Sequence, residues 1–218
     1  MSNTFIIVSG GFIDDTYVKS VISQNEGCII GVDKGMECLY RNGITPNYIL
    51  GDFDSVSEEI AAYYKSNKVS VKQLDPVKNA SDTEVALRLA ITMGAKRILL
   101  LGATGGRLDH LWANVQSLMI PLKKGVEACI MDEQNRIRLF EDAFEVSRED
   151  AFGTYFSLFA LGEDVHGLTL GGAKYPLKNY TLSTKDSCTV SNEFEADKIH
   201  ISFYSGVVIF METKDDIT

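Results

Sequence analysis

Two carboxylates one residue apart close the segment Tyr48-Ile49-Leu50-Gly51-Asp52-Phe53-Asp54-Ser55-Val56. The residues before them read as a short buried strand. On an extended backbone alternate side chains share a face, so Asp52 and Asp54 project to one side with Cα atoms roughly 7 Å apart. Two hard oxygen donors at that spacing suit Mg²⁺. The same residues also suit a solvated loop in which Asp54-Ser55 caps a helix starting near Ser57. A third carboxylate, Asp82, sits beside Ser81 in the capping-box sequence Ser81-Asp82-Thr83-Glu84, where it either joins the metal donors or complements the positive end of a helix.

A second group is Gly105-Gly106-Arg107-Leu108-Asp109-His110, leading into a helix that carries Trp112 and Asn114. Glycines ahead of a helix N-terminus let backbone N–H groups approach phosphates, and an arginine there can clamp two phosphate oxygens. No Gly-Lys-Ser/Thr follows, so this is not a P-loop. Read blandly, the segment is a plain loop, His110 a hydrogen-bonder at the helix start and Trp112 a core residue. Thr189-Val190-Ser191-Asn192-Glu193-Phe194, with Tyr175-Pro176-Leu177 upstream, reads by itself as turn chemistry plus an aromatic. His166 and His200 have no ligand partner at a useful spacing and read as structural or surface residues.

These groups need elements to hold them. The first part of the chain alternates apolar runs at 5–8, 28–32, 48–50, 69–74, 98–101 and 127–131 with amphipathic segments near 14–24, 34–41, 58–65, after Ser81 and 108–120. Val85, Ala86, Leu89, Ala90 and Met93 are the expected inward residues of the helix after Ser81. Strand and helix alternating six times predict an α/β domain, a doubly wound, mostly parallel sheet with helices on both faces, whose ligands lie beyond the carboxyl ends of the strands. Asp33, Asp52, Asp54, Asp75 and the Gly102–Arg107 segment all punctuate that edge.

From about Arg136 the texture changes to short strand-like runs at 136–140, 155–161, 168–170, 180–182, 188–191, 199–204 and 207–211, separated by Gly, Pro, Asn and Asp. They predict a smaller all-β sandwich, with Ser205-Gly206 joining the last two runs as a hairpin. The expected domains are 1–135 and 136–218.

With 218 residues, 45% hydrophobic and 23% charged, the chain has ample material for two cores. Its net charge of −9 and lack of basic runs argue against a nucleic-acid partner. No run approaches the roughly 20 apolar residues of a membrane span, and no basic, long-apolar leader opens the chain. Cys28, Cys38, Cys129 and Cys188 are scattered without a C-x-x-C pair, which suits reduced thiols in the cytoplasm. Cys28 and Cys129 are expected in the core.

Gly51-Asp52-Phe53-Asp54-Ser55, the segment from Lys78 to Asp82 with Thr83-Glu84, Gly102-Ala103-Thr104-Gly105-Gly106-Arg107-Leu108-Asp109-His110 with Asn114, and Ser191-Asn192-Glu193-Phe194 together resemble the ordered motifs of the thiamin pyrophosphokinase family. The resemblance implies transfer of pyrophosphate from ATP to the hydroxyl of thiamin, giving thiamin diphosphate and AMP. It implies Mg²⁺ held by Asp52, Asp54 and Asp82, and a homodimer whose sites pair the α/β domain of one subunit with the sandwich of the other. By position, Arg107, Asp109, His110, Gly105 and Gly106 match the nucleotide-side loop, with Asp33 nearby, and Ser191 and Asn192 match the thiamin-side turn. Two positions depart from the pattern: Asn79 stands where the family usually has Asp, and Lys34 where it has a second glycine.

Two rival readings remain at this point. Asp52 and Asp54 also resemble the nucleophile and acid/base of haloacid-dehalogenase-like phosphatases, although here the motif follows the third strand. The other rival is a non-catalytic sensor of thiamin or nucleotide.

Overall fold

The computed structural model describes residues 3–51, 57–66, 70–71 and 80–215. It divides into two compact units, Met1–Glu133 and Gln134–Thr218. In chain order the first contains β1 (Thr4–Val8), α1 (Asp15–Gln24), β2 (Cys28–Val32), α2 (Gly35–Arg41), β3 (Tyr48–Leu50), α3 (Glu58–Ser66), β4 (Ser70–Val71), α4 (Asp82–Thr92), β5 (Arg97–Leu101), α5 (Leu108–Ser117), α6 (Met119–Leu122) and β6 (Glu127–Met131). Its strands run parallel in the order β4-β3-β2-β1-β5-β6. The chain winds outward from β1 to β4 and then returns to the other side of β1. The winding therefore reverses between β1 and β5, where an open α/β sheet forms a crevice for ligands.

Ile6, Ile7 and Val8 are fully buried, as a central parallel strand covered on both faces requires. Ile6 and Val8 join Leu99 and Leu101 of β5 in one cluster with Val18 and Val21 of α1 and Cys38 and Leu39 of α2. The other face takes α4: Ser9, in step with Phe5 and Ile7, hydrogen-bonds Thr83 of α4 at 3.0 Å. Each such fully buried aliphatic side chain contributes about 1.5–3 kcal/mol.

The second unit contains β7 (Asn135–Phe140), β8 (Phe144–Ser147), a 3₁₀ turn (Arg148–Asp150), β9 (Tyr155–Ala160), β10 (Val165–Gly171), β11 (Leu177–Leu182), β12 (Lys198–Ser202) and β13 (Val208–Thr213). Strands β7-β13-β9 form one antiparallel layer and β11-β10-β12-β8 the other. Between them lie Phe156, Leu158, Val165, Leu168, Leu170, Ile199, Ile201, Val208 and Phe210. Glu212 is buried on β13, yet it accepts from Arg136 and Arg138 on β7 and from the Phe152 N–H. Several charge-assisted bonds are what such a buried carboxylate requires.

Several expectations are corrected. Strands β12 and β13 do not form a hairpin, since they lie in different layers and Gly206, at φ 102°, packs where the chain crosses between them. Residues 188–191 are turn, and strand β8 was missing from the sequence reading. The helix expected over 108–120 breaks after Ser117. On α4 the buried face is Thr83, Ala86, Leu87, Leu89 and Ala90, with Val85 and Met93 only half-buried. Cys28 is half-buried, whereas Cys38 and Cys129 are buried; all four cysteines are free thiols. Trp112 is 49% exposed and so is not a core residue. Among the described residues no helix is long and apolar enough to cross a membrane.

Asp15 opens α1 and accepts from Arg41 and Asn42 at the far end of α2. The Arg41 guanidinium first, then the Asn42 amide, hold its carboxyl down at about 2. The fold thus favours the carboxylate. Its contribution is complete above the unfolded value of about 4 and is lost as pH falls through about 2. Both partners are largely solvated, which limits the contribution to about 1 kcal/mol or less. Asp15→Asn should be less stable than wild type by up to that amount at neutral pH in urea denaturation, and the gap should close towards pH 2.

Candidate active site

The loops that follow β1 and β5 meet at the point where the winding reverses, and they meet backbone to backbone. The Ser9 N–H donates to the Leu101 carbonyl at 2.8 Å and the Gly11 N–H to the Gly102 carbonyl at 2.9 Å. A Cβ on Gly11 would lie 2.5 Å from the Gly102 oxygen, and one on Gly105 would lie 2.2 Å from the Phe12 oxygen. Gly102 adopts φ 63° and Gly106 φ 107°, a region that favours glycine. Here glycine is needed both for close approach and for backbone shape. At the start of α2, a Cβ on Gly35 would fall 1.9 Å from the Val8 oxygen. Lys34, one of the two departures from the family pattern, is exposed with φ −60°, a conformation open to any residue.

Asp33 follows β2 in the left-handed region, φ 49°, and its N–H donates to the Leu50 carbonyl. Its carboxylate lies over Gly51, where a Cβ would come within 2.6 Å of Oδ1. The bare backbone at Gly51 thus brings a hard oxygen donor against the residue that precedes Asp52. Asp52, Asp54, Asp75 and Asn79 lie outside the described residues. At the start of α3 the Ser57 hydroxyl accepts from the Ile60 N–H at 3.4 Å, and the cap expected from Asp54-Ser55 lies outside the described residues. Asp82 is exposed in the first turn of α4, beside Ser81, whose hydroxyl accepts from the Glu84 N–H. Only half of the capping box forms, because the Glu84 carboxylate turns to Arg88. Among the described residues no three acidic, His or Cys side chains group closely enough to hold a metal.

Arg107 is the N-cap residue of α5 and makes a two-pronged bond to Asp109, whose carboxyl it holds below the usual carboxylate range. Asp109 also accepts from the His110 N–H. Arg107, Asp109 and His110 are all exposed, and an ion pair this open costs little to exchange for another anion. Beside them Phe12, Leu108 and Trp112 are exposed apolar side chains, with Leu108 and Trp112 one helical turn apart.

Two buried groups hold this loop, of which the sequence motifs include Asn114 and miss Asp132. Asn114, buried on α5, donates to the Ala103 carbonyl at 2.9 Å, and Thr104 donates to the buried Asp132, just past β6, at 2.5 Å. A polar residue on the inward face of α5 was the available signal for Asn114. Nothing local marks Asp132.

In the second unit Ser191 has φ 56° and is exposed, while Asn192 is buried. The Asn192 side chain accepts from the Tyr175 and Glu193 N–H groups and donates to the Tyr175 carbonyl. That amide fixes the backbone of Tyr175 and Glu193. The Tyr175 ring is exposed, with the Lys174 ammonium 5.7 Å from its centroid. Glu193 and Phe194 also line a cavity of about 400 Å³ with Arg148, Thr154 and Lys214.

Residues 20–130 match the family profile described as thiamin pyrophosphokinase, catalytic domain, and residues 143–208 the one described as thiamin pyrophosphokinase, vitamin B1 binding domain. The chain is 33% identical over 186 residues to the thiamine pyrophosphokinase of Bacillus subtilis, spanning 85% of this chain and 87% of that one. A crystal structure of thiamine pyrophosphokinase from Bacillus subtilis superposes with a TM-score of 0.88 at 32% identity, covering 98% of this chain and 100% of the other. One from Geobacillus thermodenitrificans gives 0.83 at 32% identity, covering 98% and 99%.

The packing of the two loops sets a steric test. Gly105→Ala should wedge them apart at a backbone contact that cannot yield by side-chain rotation, costing about 1–3 kcal/mol. A urea midpoint equal to wild type would contradict the observed contact.

Proposed function

The chain belongs to the thiamin pyrophosphokinase family, and from that premise we propose that it transfers the pyrophosphoryl group of ATP to the hydroxyl of thiamin, giving thiamin diphosphate and AMP. The observation that carries this reading is the pair of glycine-bare loops at the reversal between β1 and β5, bordered by Asp33, Asp82 and Arg107. Bare backbone admits a polyphosphate closely, and placed charges steady it.

Asp52, Asp54 and Asp82 would hold Mg²⁺, which suits hard oxygen donors, and the Asp33 carboxylate against Gly51 is a further such donor. When bound, it neutralises phosphate charge that an acidic protein would otherwise repel. Arg107 exchanges Asp109 for a phosphate oxygen and steadies charge on the departing AMP. His110 and Asp109, with the backbone at Gly105 and Gly106, shape that side of the site. The thiamin oxygen forms a bond to the β-phosphorus as the bond from that phosphorus to the α,β-bridging oxygen breaks. The hydroxyl proton passes to a carboxylate, for which Asp33 and Asp54 are the candidates.

On the thiamin side, Tyr175 offers an aromatic face to a flat cation, Ser191 offers a hydroxyl, and Asn192 fixes the backbone that presents both. We assign residues 1–133 to nucleotide, metal and catalysis and 134–218 to thiamin. A homodimer, a cytoplasmic location and the absence of nucleic-acid or membrane partners complete the proposal. It is supported by family membership, the exposed Phe12, Leu108 and Trp112, the free thiols and the net charge of −9. A phosphatase leaves the match of both units to one enzyme family unexplained, and the presence of Asp52, Asp54, Asp82 and Arg107 argues against a decayed sensor.

Chromatography of products from protein, Mg²⁺, ATP and thiamin should give AMP and thiamin diphosphate in equal amounts. ADP with thiamin monophosphate would mean an ordinary kinase, and phosphate released without thiamin would mean a phosphatase. Asp54→Asn should lower turnover by orders of magnitude with the circular dichroism spectrum unchanged. Near-normal activity with unaltered Mg²⁺ dependence would remove Asp54 from the metal set.

A further inference from the structure

We propose that Asp132 is a positioning residue for the nucleotide, acting through Thr104, and that this brace governs ATP affinity while leaving thiamin affinity alone; the inference rests on the functional reading above. β5 and β6 are parallel neighbours, with Leu100 beside Ile130. Thr104 and Asp132 therefore both lie just past the carboxyl ends of adjacent strands. Asp132 is only 8% exposed, and a carboxylate so placed must be met by donors. The Thr104 hydroxyl is one of them, at 2.5 Å, a charge-assisted bond of the stronger kind.

The placement of this bond gives it a function beyond stability. Gly102, Gly105 and Gly106 have no side chains with which to anchor the β5 loop. Its intervening residues are held instead by two buried groups from different elements, Ala103 through its carbonyl by Asn114 and Thr104 through its hydroxyl by Asp132. Only Gly105 and Gly106 separate that anchor from Arg107. The next residue, Glu133, accepts from the Asp14 N–H at 2.6 Å, so the same corner holds the far end of the β1 loop. Hydrogen-bond donors aimed at a polyphosphate lose value quickly when displaced. Release of Thr104 should therefore be felt at the nucleotide first.

The test uses the full chain with Thr104→Val, which keeps the shape and removes the donor, and Thr104→Ser, which restores it. Steady-state KM for ATP and for thiamin is measured alongside thermal midpoints and calorimetric binding of a non-hydrolysable Mg²⁺–ATP analogue. Thr104→Val should weaken the analogue and raise KM for ATP about tenfold or more, the effect of losing one good hydrogen bond. KM for thiamin should stay within about twofold, and Thr104→Ser should recover most of the loss. In a Thr104→Val background, Asp132→Ala, which removes the acceptor, should add little further loss of ATP affinity, because both changes remove one interaction. Equal losses for the two substrates, no recovery with Thr104→Ser, or full additivity of Thr104→Val and Asp132→Ala in ATP affinity would overturn the proposal. Wild-type turnover of ATP and thiamin checks the underlying reading separately, before any variant is made.

Discussion

The close contact between the loops after β1 and β5 is the constraint on which the rest of the first unit depends. A parallel sheet that reverses its winding leaves two chain segments leaving neighbouring strands in the same direction. In this protein they do not splay apart. They pass near enough for Gly11 to donate to Gly102 and for Gly105 to lie against the Phe12 backbone. That approach determines which positions must be glycine, and it leaves polar backbone uncovered along the rim. Ser9 with Thr83, Asn114 with Ala103 and Asp132 with Thr104 then hold the rim from below. Burying polar groups is expensive unless they are paired, and each of these is paired in a way that also immobilises a loop.

Charge is handled by placement. The protein carries a net −9, yet its reading requires a polyphosphate to settle among carboxylates. Arg107 is kept in the open by Asp109, so the guanidinium waits at the rim in a solvated pair that is easily exchanged. Buried charge is paired, Asp132 with Thr104 beneath the loops and Glu212 in a cluster with Arg136 and Arg138. That cluster joins β7 to β13 and has a structural task. In the second unit the division of labour recurs with neutral groups: buried Asn192 holds the Tyr175 backbone, while Tyr175 and Ser191 are exposed.

The sequence made the first unit legible because strands such as β1 and β5 are apolar on both faces and end in Gly or Asp, a pattern that needs no tertiary information. The sandwich was harder to read. Ser205-Gly206 has local hairpin chemistry, but β12 and β13 find their partners in opposite layers, and that choice is made by distant strands. β8 offers only Phe144 and Val146 among acidic and polar neighbours, and its place depends on the stacking of Phe144 on Phe140. Trp112 looked like core because size alone suggests burial, whereas its face of α5 is open. In the first unit Asp82 opens α4 and Arg107 caps α5, and in the second Ser191 lies in a turn. The link between Thr104 and Asp132 spans 28 residues and exists only through the pairing of β5 with β6, which no local pattern encodes. Asn192 shows the opposite difficulty: its residue type is plain in the sequence, but only the fold reveals that its amide holds the Tyr175 and Glu193 backbone.

The place where Asp132 and Glu133 stand along the chain has a consequence for modularity. They are the last two residues of the first unit, and the second begins at Gln134, whose carbonyl already accepts from the Lys214 N–H. No spacer separates the strut beneath the loops from the first strand of the sandwich. The seam that looks natural for cutting, swapping or splicing the two halves is therefore mechanically part of the first half's interior. Inserting or deleting a residue there would disturb the bonds that Asp132 and Glu133 make to Thr104 and Asp14, so exchange of whole units between relatives should carry the crossover into an exposed turn of the sandwich and leave residues 132–135 intact.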